Sequence, residues 1–179
     1  MLIVKYTPKW VKDFEDIKSE IDRELRGLQF TIEHVGSTAV PNLDSKPIID
    51  IDIIYSKQSD FEQIKWRLLT VGYFHNGDQG IQDREVFKRT GNCVNGVLDT
   101  IKHHLYVCPI NSEALHRHIL SRNFLRKNDW AKLKYQEMKY ALAEQAGQDG
   151  KLYAALQELT VNDFIDSIVK EEQRAADRG

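Results

Sequence analysis

The run Ile48-Ile-Asp-Ile-Asp-Ile-Ile-Tyr55 restricts the fold of this 179-residue chain more than any other stretch. Side chains alternate between the two faces of a β-strand, so Asp50 and Asp52 share one face and the intervening isoleucines share the other. Apolar residues on both sides predict a central strand, where neighbouring carboxylates repel each other and are costly to desolvate. A fold tolerates such a pair when a divalent cation or a basic cluster balances it; the alternative is a strand end with solvated acids.

Hydrophobic periodicity along the rest of the chain predicts an α+β fold: a mixed sheet flanked by helices, followed by a helical C-terminal part. An apolar stripe from Trp10 to Leu25 predicts an amphipathic helix that begins near Pro8. The other predicted elements are an extended arm or strand at 2–5, strands at 30–35, 48–55, 84–90 and 97–108, and helices at 60–69, 112–127, 130–145, 150–157 and 161–174. The strands at 84–90 and 97–108 are expected to pair antiparallel. We expect a single domain over 1–179, with its sheet core at about 1–108 and its helical part at about 109–179.

Composition limits the class of protein. Hydrophobic residues make up 41% of the chain and charged residues 29%, which is typical of a globular domain. No apolar run approaches the roughly 20 residues of a transmembrane helix, and the N-terminus lacks the pattern of a signal peptide. We therefore expect no membrane partner and a cytoplasmic location. The two cysteines, Cys93 and Cys108, belong to no zinc-ligand array, which also favours a reducing compartment.

A Gly36-Ser37 turn precedes the acidic strand and follows the predicted strand at 30–35. Such a turn lets backbone N–H groups and a hydroxyl approach a phosphate closely. The carboxylates of Asp50 and Asp52 are hard oxygen ligands, which suit Mg²⁺ or Mn²⁺ bound together with substrate phosphates. The turn and the strand together predict metal-dependent phosphoryl chemistry. Gly-Ser pairs are also common in ordinary turns, so the turn alone does not establish this.

The run from His34 to Ile51, His-Val-Gly-Ser-Thr-Ala-Val-Pro-Asn-Leu-Asp-Ser-Lys-Pro-Ile-Ile-Asp-Ile, resembles the signature of the GrpB family. Three later segments resemble further family motifs, and they lie at 80–88, 103–107 and 120–126. The resemblance covers the chain from about Tyr6 to Ala143. GrpB proteins are placed in the nucleotidyltransferase superfamily, with the DNA polymerase beta-like fold.

The resemblance implies a metal-dependent nucleotidyltransferase that acts on a nucleoside triphosphate and an unknown acceptor. It implies that Gly36 and Ser37 bind phosphate, and that Asp50 and Asp52 are catalytic and bind Mg²⁺ or Mn²⁺. The family pattern places a third carboxylate on a later strand. In this sequence the candidate third metal ligand in that region is Asp99 or His104. Two positions depart from the family pattern: Tyr106 stands where a histidine is usual, and Asn123 where an aspartate is usual. The alternative is therefore a non-catalytic nucleotide- or anion-binding accessory module with the same fold.

Basic residues gather in the second half of the chain. Residues 101–139 contain eight basic and three acidic side chains, whereas the whole chain has a net charge of −2. This favours an anionic small molecule as the partner and disfavours nucleic acid; the alternative is a solvated helix surface. The oligomeric state is not predicted. The candidate phosphate-binding or acceptor-binding cations are Lys46, Arg84, Arg122 and Arg126. Lys46 can instead pair with Asp50, and the arginines can belong to ordinary surface.

Overall fold

The acidic strand lies inside a five-stranded mixed sheet in the computed structural model, which describes residues 1–92 and 95–176. The strands are β1 (Thr31–Val35), β2 (Ile49–Tyr55), β3 (Tyr73–His75), β4 (Glu85–Arg89) and β5 (His103–Pro109). Their order is β1-β2-β5-β4-β3. Neighbours pair antiparallel except β2 and β5, which are parallel. The helices are α1 (Lys9–Glu24), α2 (Gln58–Thr70), α3 (Gly96–Thr100), α4 (Glu113–Lys127), α5 (Asp129–Gln145) and α6 (Gly150–Ala176), with a 3₁₀ turn at Ser37–Ala39.

The predicted alternation of β2 is confirmed. Ile49, Ile51 and Ile53 are buried in one hydrophobic core with the apolar stripe of α1 and with residues of α2. Asp50 and Asp52 project from the opposite face, which is the face that carries the helical C-terminal part. The sheet therefore has an apolar side that supplies stability and an opposite side on which the two acids lie beside a small apolar cluster of Ile54, Cys108 and Leu115.

The second hydrophobic core lies within the helical part. Side chains of α4, α5 and α6 pack around Ile3, Val40 and Leu43, so the N-terminal arm and the segment after the 3₁₀ turn are built into it. The arm forms only an isolated bridge, between Val4 and Ser45. Within residues 1–92 and 95–176, no helix is long and apolar enough to cross a bilayer. Cys108 is buried, and Cys93 lies outside the described residues.

Three predicted elements differ from the structure. The strand predicted at 97–108 is wrong at its start, because Asn95 accepts hydrogen bonds from the N–H groups of Val97 and Leu98 and thereby begins α3. The antiparallel pairing of β4 with β5 is confirmed. The short edge strand β3 was not predicted. The two helices predicted at 150–157 and 161–174 are one helix, since no glycine or proline lies between them to end it.

Candidate functional site

Asp50 and Asp52 each face a histidine. The register of the parallel pair places His104 opposite Asp50 and Tyr106 opposite Asp52. Nδ1 of His104 lies 2.8 Å from Oδ1 of Asp50. Nδ1 of His118, on α4, lies 2.9 Å from Oδ2 of Asp52. The side chain of Asp52 is fully buried, and its Oδ1 has no hydrogen-bond partner among the described residues.

The Gly36-Ser37 turn approaches the first of these carboxylates closely. Gly36 has φ 71° and ψ −170°, a conformation that only glycine adopts without strain. A Cβ at this position would lie 3.0 Å from both Cβ and Cγ of Asp50, and closer still to Oδ2. The absence of a side chain at Gly36 therefore lets the turn and the acidic strand come into direct contact, as the sequence pattern predicted.

Arg122 and Arg126 donate hydrogen bonds to backbone carbonyls on either side of this turn. Nη1 of Arg122 donates to the carbonyl of His34 at 2.8 Å and to Oε2 of Glu33 at 2.5 Å. Arg126 donates from two nitrogens to the carbonyl of Ala39, at 2.9 and 2.7 Å. Their guanidinium groups bind protein groups on either side of the turn, and neither residue lines the cleft in front of it. We therefore revise the predicted ligand contact of both arginines to a role in supporting the turn.

His34, which precedes the turn, is structural in its contacts. Its ring stacks on Phe14, with ring centroids 4.6 Å apart, and its Nε2 lies 3.1 Å from the hydroxyl of Thr38. Burial lowers the pKa of His34 to about 4, so the ring is neutral at pH 7. A neutral ring at this point fixes the start of the 3₁₀ turn without adding charge next to Asp50.

A cleft of about 860 Å³ opens in front of Ser37 and Asp50, between the polar face of the sheet and helices α5 and α6. Lys46 lies at its wall, with Nζ 4.4 Å from the centre of the Tyr153 ring. Lys139 is buried, and its Nζ donates to the carbonyl of Asp44 at 3.1 Å and lies 3.2 Å from Oγ of Ser45. Burial lowers the pKa of both lysines, that of Lys139 to about 7. Among the described residues, neither amine has a carboxylate bonded to it, and binding of an anion would favour the protonated form of Lys139; the cleft therefore favours an anionic ligand.

Arg84 closes the cleft on its other side. The guanidinium lies 4.9 Å from the centre of the Tyr106 ring, and Nε is buried without a hydrogen-bond partner among the described residues. Tyr106 is itself half-buried, and desolvation raises its pKa. Arg84 therefore lines the same cleft as Asp50, and contact with a bound anion stays a prediction.

The third metal ligand considered in the sequence is not found as a carboxylate. Asp99 lies on the opposite, apolar face of the sheet, where its Oδ1 accepts from Arg89 at 2.6 Å. No group of three or more His, Cys, Asp or Glu side chains that could hold an ion occurs in the described part of the chain. The donor set still fits Mg²⁺ or Mn²⁺ that arrives with a nucleotide, because one or two carboxylates plus substrate phosphates suffice. The unpartnered Oδ1 of Asp52 is the observation that supports this fit.

Sequence reasoning missed Lys139 as a site residue and did not pair His118 with Asp52. Lys139 was counted only as one charge of the basic segment. His118, Arg122 and Arg126 follow one another at intervals of four residues on α4, but the structure turns these side chains to different partners. No local signal identifies either contact, since 66 residues separate His118 from Asp52.

Solved structures of distant proteins share the fold of this chain. The Cid1 poly(U) polymerase bound to MgGTP superimposes with a TM-score of 0.57 at 19% sequence identity, covering 79% of this chain and 44% of Cid1. A complex of Cid1 with the UTP analogue UMPNPP gives a TM-score of 0.55 at 16% identity. At these identities the likeness establishes the fold alone, which is that of the nucleotidyltransferases.

Closer relatives establish the family. The sequence profile described as "GrpB protein" matches residues 1–171, and the chain belongs to the GrpB family. A crystal structure of GrpB from Enterococcus faecalis superimposes with a TM-score of 0.78 at 27% identity, covering 97% of this chain and 98% of that one. The glutamate-rich protein GrpB of Alkalihalophilus pseudofirmus is 28% identical over 172 residues, which is 96% of this chain and 95% of that protein. UPF0157 protein YqkA of Bacillus subtilis is 30% identical over 143 residues; the match covers 80% of this chain and 40% of YqkA.

Proposed function

We propose that this protein is a metal-dependent nucleotidyltransferase that binds a nucleoside triphosphate with Mg²⁺ or Mn²⁺ in the cleft of about 860 Å³. The observation that carries the proposal is the contact between the Gly36-Ser37 turn and the acidic strand, next to a buried Asp52 whose Oδ1 is unpartnered. Structures of Cid1 with MgGTP and with a UTP analogue support nucleotide binding by this fold.

Several side chains in and next to the cleft have roles in this proposal. The backbone N–H groups and hydroxyl of the Gly36-Ser37 turn bind phosphate oxygens, and Lys46 and Lys139 neutralise the triphosphate tail. Asp50 and Asp52 would hold the divalent ion, which would supply charge neutralisation on the phosphate oxygens. The acceptor hydroxyl oxygen attacks the α-phosphorus and its proton passes to solvent; the bond from the α-phosphorus to the α–β bridging oxygen breaks, and pyrophosphate leaves.

Binding of MgATP and the other three nucleoside triphosphates, measured by thermal shift and titration calorimetry, tests the proposal. Free Mg²⁺ should stabilise the protein little, because nucleotide phosphates complete the coordination of the ion. Saturating Mg-nucleotide, at about 100 times the dissociation constant, should stabilise it by about 2.7 kcal/mol. Asp50→Asn combined with Asp52→Asn should abolish this gain while the metal-free protein stays folded, since amide oxygens still accept from His104 and His118.

Asp16→Asn combined with Asp22→Asn is the matched control, because both residues form i,i+4 pairs on α1 away from the cleft. That variant should bind nucleotide as the wild type does. Absence of Mg-nucleotide binding by the wild type would contradict the proposal. A large metal-independent loss of stability in the Asp50/Asp52 variant would show that the two acids are structural.

A non-catalytic nucleotide-binding module is the second candidate, and one observation favours it. His104 and Tyr106 occupy the strand positions next to Asp50 and Asp52, so β5 offers no third carboxylate there. Release of pyrophosphate from labelled nucleotide in the presence of candidate acceptors separates the two. Binding without release favours the module.

A further inference from the structure

Lys139 places a buried amine at the wall of the cleft without a counter-ion. The residue is 2% exposed, and among the described residues its Nζ contacts only neutral groups, the carbonyl of Asp44 at 3.1 Å and Oγ of Ser45 at 3.2 Å. The carboxylate of Asp44 is turned away, to Lys5 at 3.0 Å and to the hydroxyl of Tyr140 at 2.7 Å. Burial of an ammonium ion without a bonded carboxylate has a large desolvation cost, so this amine loses its proton readily.

The charges around Lys139 come from several elements of the fold. Asp44 and Asp50 favour its protonated form, whereas Lys46 opposes it. On α5 itself, Nζ lies 4.9 Å from the centre of the neutral Tyr135 ring. The other groups lining this cleft that carry charge or titrate near neutral pH are Arg84, His104, Arg117, Glu158 and Asp166. Desolvation outweighs the nearby charges and lowers the pKa of Lys139 to about 7, so the amine is mostly neutral at pH 8.

An anion in the cleft reverses this balance. Lys139 and Lys46 line the cleft together with Ser37, so a bound sulfate or phosphate group supplies the counter-charge that the protein does not. A nearby negative charge favours the protonated amine and raises its pKa. The ligand therefore binds the protonated protein more tightly than the neutral one, and thermodynamic linkage requires that binding of the anion draws a proton to Lys139.

We propose that the anionic ligand of the cleft binds together with one proton, which Nζ of Lys139 takes up from solvent, so that the site loses affinity as the pH rises above neutrality. The lone pair of Nζ forms the new N–H bond, and no other bond forms or breaks. The identity of the anion as the triphosphate of a nucleotide rests on the proposed function, whereas the coupling of anion and proton does not.

Inorganic sulfate in metal-free buffer is the first probe, because its charge is constant from pH 6 to pH 9 and any proton taken up must go to the protein. The dissociation constant of sulfate, measured by nuclear magnetic resonance at constant ionic strength, should rise about 50-fold from pH 7 to pH 9 and only about twofold from pH 6 to pH 7. At pH 8, sulfate should move the Nζ signal of Lys139 from the position of a neutral amine towards that of an ammonium ion.

Lys139→Met keeps a long side chain without the amine. It should bind sulfate more weakly at pH 7, and its affinity should change little from pH 7 to pH 9. Lys134→Met is the matched control and should keep the wild-type dependence, since Lys134 is exposed on the same helix and does not line the cleft. A pH-independent wild-type affinity, a pH dependence retained in Lys139→Met, or absence of sulfate binding would overturn the proposal. The wild-type titration and lysine spectrum decide the matter even if Lys139→Met fails to fold.

MgATP separates this inference from the proposed function. Its phosphates are fully ionised at pH 8, where calorimetry in buffers of different ionisation enthalpy should show uptake of about 0.9 proton per nucleotide bound by the wild type and almost none by Lys139→Met. Sulfate binding with proton uptake but without binding of MgATP would overturn the proposed function and leave the coupling standing. Binding of MgATP without uptake that depends on Lys139 would overturn only the coupling.

Discussion

Replacing Gly36 by alanine is the sharpest test of how the turn and the acidic strand are joined. Gly36 has a positive φ of 71° with ψ −170°, and an added Cβ would lie 3.0 Å from Cβ and Cγ of Asp50 and closer to Oδ2. The backbone strain costs about 1–3 kcal/mol. Forcing the methyl group against Asp50 costs about 1–3 kcal/mol more. We expect Gly36→Ala to lower the free energy of unfolding by about 4 kcal/mol.

Urea unfolding followed by tryptophan fluorescence and circular dichroism measures this loss. Gly27→Ala is the matched control, because Gly27 also has a positive φ, 88°, but an added Cβ there meets nothing within 4 Å. It should cost only the backbone part, about 1–2 kcal/mol. Adding Asp50→Ala to Gly36→Ala should recover part of the collision cost, about 1–2 kcal/mol, because it removes Oδ2 and Cγ but leaves Cβ at 3.0 Å. Equal losses for Gly36→Ala and Gly27→Ala, with no recovery in the double variant, would refute the argument.

Two further predictions concern the cations around the site. Arg122→Met should lower the free energy of unfolding by about 2–3 kcal/mol, because it leaves the carbonyl of His34 without its buried donor. Urea unfolding measures this loss, and Lys127→Met, at an exposed position, is the control with an expected change near zero. An unchanged free energy of unfolding in Arg122→Met would contradict the supporting role of this arginine. Burial lowers the pKa of Lys139 from 10.5 to about 7, so between these values the unfolded chain binds a proton that the folded chain does not. Stability should therefore rise by about 2 kcal/mol from about pH 7 to pH 9, and Lys139→Met should remove that rise. A parallel pH dependence in the two proteins would show that Lys139 is not its source.

Local patterns in the sequence were sufficient for the main elements. The stripe from Trp10 to Leu25 predicts α1, and the alternation around Asp50 predicts which face of β2 carries the acids; both are confirmed. These predictions succeed because helix and strand periodicities are set by backbone geometry over a few residues. The predictions at 97–108 and 150–174 were wrong in part, since a single cap at Asn95 and the absence of a helix breaker outweighed the wider pattern.

The roles of individual site residues depended on tertiary structure. The sequence placed Asp50, Asp52 and the Gly36-Ser37 turn together as one candidate phosphate site, because all three belong to one short connected segment. It could not determine that Arg122 supports the turn from behind, or that Asp99 lies on the far face of the sheet. Both depend on which segments pack together, and a basic or acidic residue has the same local signal in either role.

The environment of Asp52 shows most clearly which features the sequence alone does not determine. The sequence determines that Asp52 points away from the apolar core, but its burial and its contact with His118 follow from the docking of α4 onto the polar face of the sheet. The parallel pairing of β2 with β5 likewise brings His104 to Asp50 across 54 residues of chain. Strand pairing and helix docking are long-range contacts stabilised by the hydrophobic clusters of the whole fold, among them Ile54, Cys108 and Leu115 between the sheet and α4, so no single segment specifies them.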